Sequence, residues 1–75
     1  MTFTEISKLP LGTPLRYQLD NELSYIGILS KTEGGNFFFS PAGIMWLWGG
    51  WRLMNFERYS KISESEMVLY WMENA

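Results

Sequence analysis

The sequence predicts a mainly β fold: a small antiparallel meander of five or six strands that curls into a barrel, with a short N-terminal helix. Turn-forming residues interrupt the chain at short intervals, and brief apolar or alternating segments lie between them. With 75 residues, we expect a single domain spanning positions 1–75. Curling would remove the sheet edges, which a protein of this size has little mass to protect.

The N-terminal residues carry a helix-start signal. Thr2 and Glu5 have the spacing of a capping box, in which each side chain accepts a hydrogen bond from the other residue's backbone N–H. This spacing predicts a helix over about Phe3 to Lys8, which Pro10 ends. We expect the helix to cover one open end of the barrel.

Two strands with different patterns follow. The segment Leu15–Leu19 alternates between apolar and polar residues, which predicts a half-buried strand with Leu15, Tyr17 and Leu19 inward. Tyr25–Lys31 is the second strand, and Gly27 in its interior suggests a bulge or a sharp bend. The turns predicted on either side of this second strand are Asp20–Glu22 and Glu33–Asn36.

The central segment, Phe37–Trp51, carries no charge and holds three of the four tryptophans. Ser40–Gly43 fits a type I turn, and Gly49–Gly50 fits a two-residue hairpin turn. Between these turns Ile44–Trp48 is apolar at every position, as in a strand with both faces covered. The alternative is that one tryptophan face stays exposed and receives a partner, because so small a chain can cover little surface.

The segment Trp51–Tyr59 predicts a further strand, one face of which carries Arg52, Phe56 and Arg58. The succession of short strands and turns resembles that of the SH3-type and OB-type small barrels. This likeness is architectural: the residues contain no signature motif of either family, so it implies a fold without a function.

The C-terminal segment supports two interpretations. Ser63 and Glu66 have capping-box spacing, and Ile62 and Met67 have the spacing of a hydrophobic staple, which favours a helix. Met67–Met72 is instead apolar all round and rich in β-forming residues, which favours a strand. We predict a strand.

The residue types that most enzymes need are absent. The chain has no histidine and no cysteine, which removes the commonest general base, the thiolate nucleophile and the usual zinc and copper ligands. Asp20 and Glu22 lie in a predicted turn without the spacing of a calcium loop. Neither Gly34-Gly35 nor Gly49-Gly50 has the context of a phosphate-binding loop. We therefore predict a non-enzymatic protein with no metal and no cofactor.

The composition favours a protein-interaction module that binds a larger partner protein, and inhibits or modulates it, through an aromatic-rich surface. Tryptophan and arginine dominate interface hot spots, and the predicted protein-binding residues are Trp46, Trp48, Trp51 and Arg52. Small phage-encoded inhibitors of bacterial enzymes or defence systems have this general build. Homodimerisation through the same face, as a homo-oligomeric accessory subunit, is a close variant.

The alternative function is binding of single-stranded nucleic acid, with Arg52, Phe56 and Arg58 as a stacking platform. The net charge of −2 opposes this and makes duplex nucleic acid an unfavourable partner. No apolar run approaches the ~20 residues of a membrane-spanning helix. The N-terminus also lacks the pattern of a secretion signal. We therefore expect a cytoplasmic protein that does not bind membranes.

Overall fold

The computed structural model describes residues 1–42 and 49–74. Its elements in chain order are α1 (Phe3–Ser7), β1 (Pro14–Gln18), β2 (Ser24–Lys31), β3 (Phe37–Pro41), β4 (Trp51–Arg52), a 3-10 turn (Phe56–Arg58), β5 (Tyr59–Lys61) and α2 (Glu64–Asn74). The five strands form one antiparallel sheet in the order β4-β3-β2-β1-β5. The predicted mainly β fold and the short N-terminal helix are therefore confirmed. The sheet is open among the described residues, so the predicted closure into a barrel is not confirmed.

The first helix forms where the capping box predicts it. The Thr2 hydroxyl accepts a hydrogen bond from the Glu5 N–H at 3.2 Å, and the Glu5 carboxylate accepts one from the Thr2 N–H at 2.9 Å. Hydrogen bonding of the Glu5 carboxylate to Thr2, first to its backbone N–H and then to its side chain, holds the pKa of Glu5 below its usual value. α1 ends at Ser7, one residue before the predicted end. Its Ile6 is fully buried, so the helix covers part of the core.

The core lies on one face of the sheet. Residues that pair directly across neighbouring strands share a face, and the pairs Leu29–Phe39 and Tyr17–Tyr59 both point to the core. The buried residues that form the core cluster are Ile6, Leu15, Leu29, Phe39, Leu53 and Tyr59. Leu19, predicted to point inward, lies beyond the end of β1 and is 40% exposed.

The opposite face of the sheet carries α2. Arg16 and Ile28 point to this face because they alternate with the core residues of β1 and β2. The Arg16 guanidinium donates a 2.9 Å hydrogen bond to the Glu66 carboxylate, and α2 contacts β2. Helices on both faces explain why β2 is apolar at successive positions rather than alternating.

β2 has no bulge at Gly27, although the sequence predicts a bulge or a sharp bend there. Its neighbours pair in regular register with β1 on one side and with β3 on the other. A Cβ atom at Gly27 would lie 2.2 Å from the Ser40 carbonyl oxygen and 2.7 Å from the Pro41 Cα. The glycine is therefore required by close approach of the neighbouring backbone.

The predicted type I turn at Ser40–Gly43 is wrong in its first half, because β3 continues through Pro41. Pro41 pairs with Gly27, and the Ala42 N–H donates to the Ile26 carbonyl at 2.7 Å. Proline fits here because β4 pairs only with Phe38 and Phe39, so no β4 carbonyl requires a donor at position 41. The turns at 20–22 and 33–36 form as predicted.

Where the described part of the chain resumes, Gly49 has a φ of 73°, as a hairpin turn requires, but Gly50 has no positive φ. A Cβ on Gly50 would lie 2.2 Å from both the Phe38 ring and the Phe39 carbonyl oxygen. The predicted strand at Ile44–Trp48 lies outside the described residues.

The predicted strand Trp51–Tyr59 is wrong. β4 ends at Arg52, and Asn55 takes a left-handed conformation with φ 56°. A single 3-10 turn then leads into β5. Asparagine tolerates positive φ better than most residues, so it can end an extended segment as a glycine would.

The predicted strand at Met67–Met72 is also wrong, because the segment forms α2. The Ser63 hydroxyl accepts a hydrogen bond from the Glu66 N–H at 3.2 Å, as in the competing helical interpretation. Met67 and Tyr70 are half-buried, since the free face of the sheet supplies the second surface that an apolar helix needs.

Candidate protein-binding surface

The structure separates the predicted binding residues. Trp46 and Trp48 lie outside the described part of the chain. Trp51 and Arg52 are consecutive in β4 and therefore point to opposite faces of the sheet. Trp51 pairs with Phe39 on the core face and is half-buried, whereas Arg52 pairs with Phe38 on the other face and is exposed. These two neighbours do not form one continuous surface.

Trp51 lies in an aromatic cluster on the core face. Its ring centroid is 4.9 Å from that of Phe39, 5.8 Å from Tyr17 and 5.9 Å from Tyr25. The Tyr17 and Tyr25 rings meet it edge-on, a geometry that aromatic pairs prefer. The indole ring is therefore packed against three aromatic side chains of the fold.

A hydrogen bond joins the two edge strands of the sheet. The Trp51 Nε1–H donates to the Tyr59 hydroxyl at 2.8 Å, although β4 and β5 occupy opposite ends of the strand order. The sheet must therefore be strongly curved. Burial raises the pKa of Tyr59 to about 12, and the hydrogen bond from Trp51 offsets part of that increase.

Stability should fall between pH 10 and 12 because of this tyrosine. Below pH 10 its hydroxyl is protonated in both folded and unfolded chains, so it has no pH-dependent effect. Above pH 10 the unfolded chain loses the proton, while the folded chain keeps it up to about pH 12. Unfolding then becomes easier by about 1.4 kcal/mol per pH unit. Urea denaturation at several pH values measures this slope, and Tyr59→Phe should reduce it. An unchanged slope in Tyr59→Phe would contradict the assignment.

The three residues predicted as a nucleic-acid platform occupy different elements. Arg52 is in β4, whereas Phe56 and Arg58 belong to the 3-10 turn. The Arg58 guanidinium donates hydrogen bonds to the carbonyl oxygens of Gln18 and Leu19, the latter at 2.6 Å. The Phe56 ring contacts Phe3 at a centroid distance of 5.4 Å. The residues therefore do not share the strand face that a stacking platform was predicted to use.

A group of exposed apolar residues lies together on α2. Val68 is 50% exposed, Leu69 58% and Met72 74%. Positions three and four apart share a side of a helix, so these residues form one stripe, here called the α2 ridge. It points away from the half-buried Met67 and Tyr70, which face the sheet. Sequence reasoning missed this surface because the segment was interpreted as a strand.

A groove of about 360 Å³ runs beside the ridge, between α2 and the sheet. Its lining residues are Ile28, Ser40, Pro41, Ala42, Met67 and Trp71. Trp71 is 43% exposed, so it extends the apolar surface from the groove towards the ridge. Ala42 is also the last described residue before the segment that carries Trp46 and Trp48.

The acidic residues of the described chain do not form a metal centre. No group of three or more acidic side chains suited to a metal occurs among residues 1–42 and 49–74. The Asp20 carboxylate accepts hydrogen bonds from the N–H groups of Glu22 at 2.8 Å and Leu23 at 2.7 Å. Both bonds lower the pKa of Asp20. This carboxylate therefore stabilises the β1–β2 turn.

No family model, no curated protein and no solved structure matches the chain. Neither helix in the described part of the chain is long and apolar enough to cross a membrane.

Proposed function

We propose that the protein is a non-enzymatic interaction module, which binds a larger protein and inhibits or modulates it. The observation that carries this proposal is the α2 ridge: Val68, Leu69 and Met72 expose half or more of their surface on one side of one helix. Scattered exposed apolar residues are common, but a contiguous group usually marks an interaction site. The groove and Trp71 beside it enlarge the apolar area.

The absence of histidine and cysteine from the chain supports a binding role over catalysis. Aromatic packing stabilises the sheet that carries this surface. Phe39 and Tyr59 are almost fully buried on the core face, where their rings contact each other. The approach of Trp51 to Tyr59 across the two edge strands also supports a barrel-like sheet of the SH3 or OB type. Such a sheet would present α2 on its outer surface.

Replacing one ridge residue should abolish partner capture without unfolding the protein. Leu69→Gln keeps a good helix former and removes apolar area where 58% of the side chain meets solvent. The matched control is Leu11→Gln, because Leu11 is 59% exposed and lies in a turn outside α2. We expect affinity capture from lysate to retain a specific protein with the wild type and Leu11→Gln, and to lose it with Leu69→Gln.

Circular dichroism and urea denaturation verify that both variants fold. If each captures the same proteins as the wild type, the α2 ridge is not the binding surface. If the wild type captures no specific protein, the proposed function itself is wrong.

A further inference from the structure

The α2 ridge has an acidic border on both sides. With about 100° between successive helix positions, Glu64 lies roughly 40° to one side of Val68, and Glu73 lies roughly 40° beyond Leu69 on the other. Both glutamates are exposed. α2 contains no lysine or arginine. A partner therefore meets an apolar stripe with one glutamate on each side, Glu64 in the first turn of α2 and Glu73 in the last.

The border carboxylates have no basic partner in the described part of the chain. The one ion pair there joins Arg16 to Glu66, which lies seven residues before Glu73 and on nearly the same side of α2. Neither Glu64 nor Glu73 is within ion-pair distance of a described lysine or arginine. Their charge is therefore free to select what approaches the ridge.

This border argues against pairing of the ridge with a second copy of the chain. A second copy of α2 would bring three glutamates and no lysine or arginine to the ridge. It would therefore offer the border no opposite charge. The same border would be repelled by an anionic membrane surface.

We infer that the α2 ridge binds an amphipathic helix of another protein, whose apolar stripe is bordered by lysine or arginine. This inference rests on the proposed function and specifies the partner's chemistry. Helix-on-helix packing suits a convex stripe of side chains three and four positions apart. Basic side chains on both sides of the partner's stripe would meet Glu64 and Glu73 and set its register.

Two synthetic helical peptides test this charge preference. Both carry the same leucine stripe and a fluorescent label; one has lysines along both borders, and the other has glutamates. We expect fluorescence anisotropy with the intact chain to show the lysine peptide binding about tenfold more tightly than the glutamate peptide. The preference should shrink as sodium chloride is raised, because exposed charges are screened.

Matched variants assign the preference to the border. The double variant Glu64→Gln/Glu73→Gln should bring the two affinities to within about threefold. The control Glu22→Gln/Glu33→Gln removes the same charge from exposed turns and should leave the preference intact. Leu69→Gln should weaken binding of the lysine peptide.

Several results would overturn the inference: equal affinity for the two peptides, no peptide binding, or lysine-peptide binding that Leu69→Gln leaves unchanged. Self-association in sedimentation that Leu69→Gln abolishes would identify a second copy as the occupant. Binding to phosphatidylcholine vesicles that Leu69→Gln abolishes would identify a membrane. If Leu69→Gln loses a captured protein while neither peptide is preferred, the proposed function stands and this inference fails.

Discussion

Gly27→Ala is expected to lower the free energy of unfolding by about 3 kcal/mol or more, at the upper end of overpacking effects. The new methyl group would lie 2.2 Å from the Ser40 carbonyl oxygen and 2.7 Å from the Pro41 Cα. Both atoms belong to the backbone of β3. Because β3 pairs in register with β2, these atoms cannot move without shifting the strand. A domain of this size has a total stability of only about 4–11 kcal/mol. Urea denaturation followed by circular dichroism measures the loss.

Gly34→Ala is the matched control. Gly34 lies in the exposed turn before β3, has no positive φ, and the nearest atom to an added Cβ is the Asn36 amide nitrogen at 3.7 Å. We expect a change within about 0.5 kcal/mol. Equal stability of the Gly27 and Gly34 variants would show that the two strands separate more easily than their pairing indicates.

Trp51→Ala should destabilise the fold by about 3–5 kcal/mol. The substitution removes ring contacts with Phe39, Tyr17 and Tyr25, and it deprives the buried Tyr59 hydroxyl of its donor. Trp51→Phe should lose less, because a ring remains although the hydrogen bond does not. Thermal and urea denaturation of the two variants separate the ring contribution from that of the hydrogen bond.

Trp71→Ala provides the comparison, since this second indole is 43% exposed beside the groove. We expect it to change stability by about 1 kcal/mol. The pair also tests the binding role that the sequence predicts for Trp51. A Trp51→Ala protein of normal stability that fails to capture the partner would assign this ring to the interface and contradict its structural role.

Local signals were enough to predict several elements. The α1 capping box involves only Thr2 and Glu5, which are three residues apart. The alternation in β1 likewise identifies a strand with one covered face, although its last apolar residue, Leu19, lies outside the sheet. Asp20 forms its turn through its own carboxylate. In each case the sequence signal lies within a few neighbouring residues.

Elements decided by tertiary contacts could not be predicted in this way. Met67–Met72 has β-forming side chains, but the outer face of β2 supplies the surface that makes a helix favourable. Asn55 interrupts the segment after β4 through a backbone conformation that its residue type permits but does not require. The sequence alone does not show which face of the sheet is left for α2 to cover, or which strands lie at the edges.

The candidate site shows the same limit. Composition predicts tryptophan and arginine as binding residues, yet position in β4 directs Trp51 to the core face and Arg52 to solvent. The α2 ridge follows from helical spacing once the segment is known to be a helix. A helical interpretation of Ser63 and Glu66 would have revealed Val68, Leu69 and Met72 as one stripe.

The place of β1 between β2 and β5 affects how the protein folds. Arg16 in β1 pairs with Ile26 in β2 and with the distant Ser60 in β5. β1 and β2 can associate early, because a short turn joins them, but one side of β1 keeps unpaired N–H and C=O groups until β5 docks. Such an uncovered strand can pair with strands of other chains. A folding intermediate that lacks docked β5 is therefore the form that we expect to aggregate.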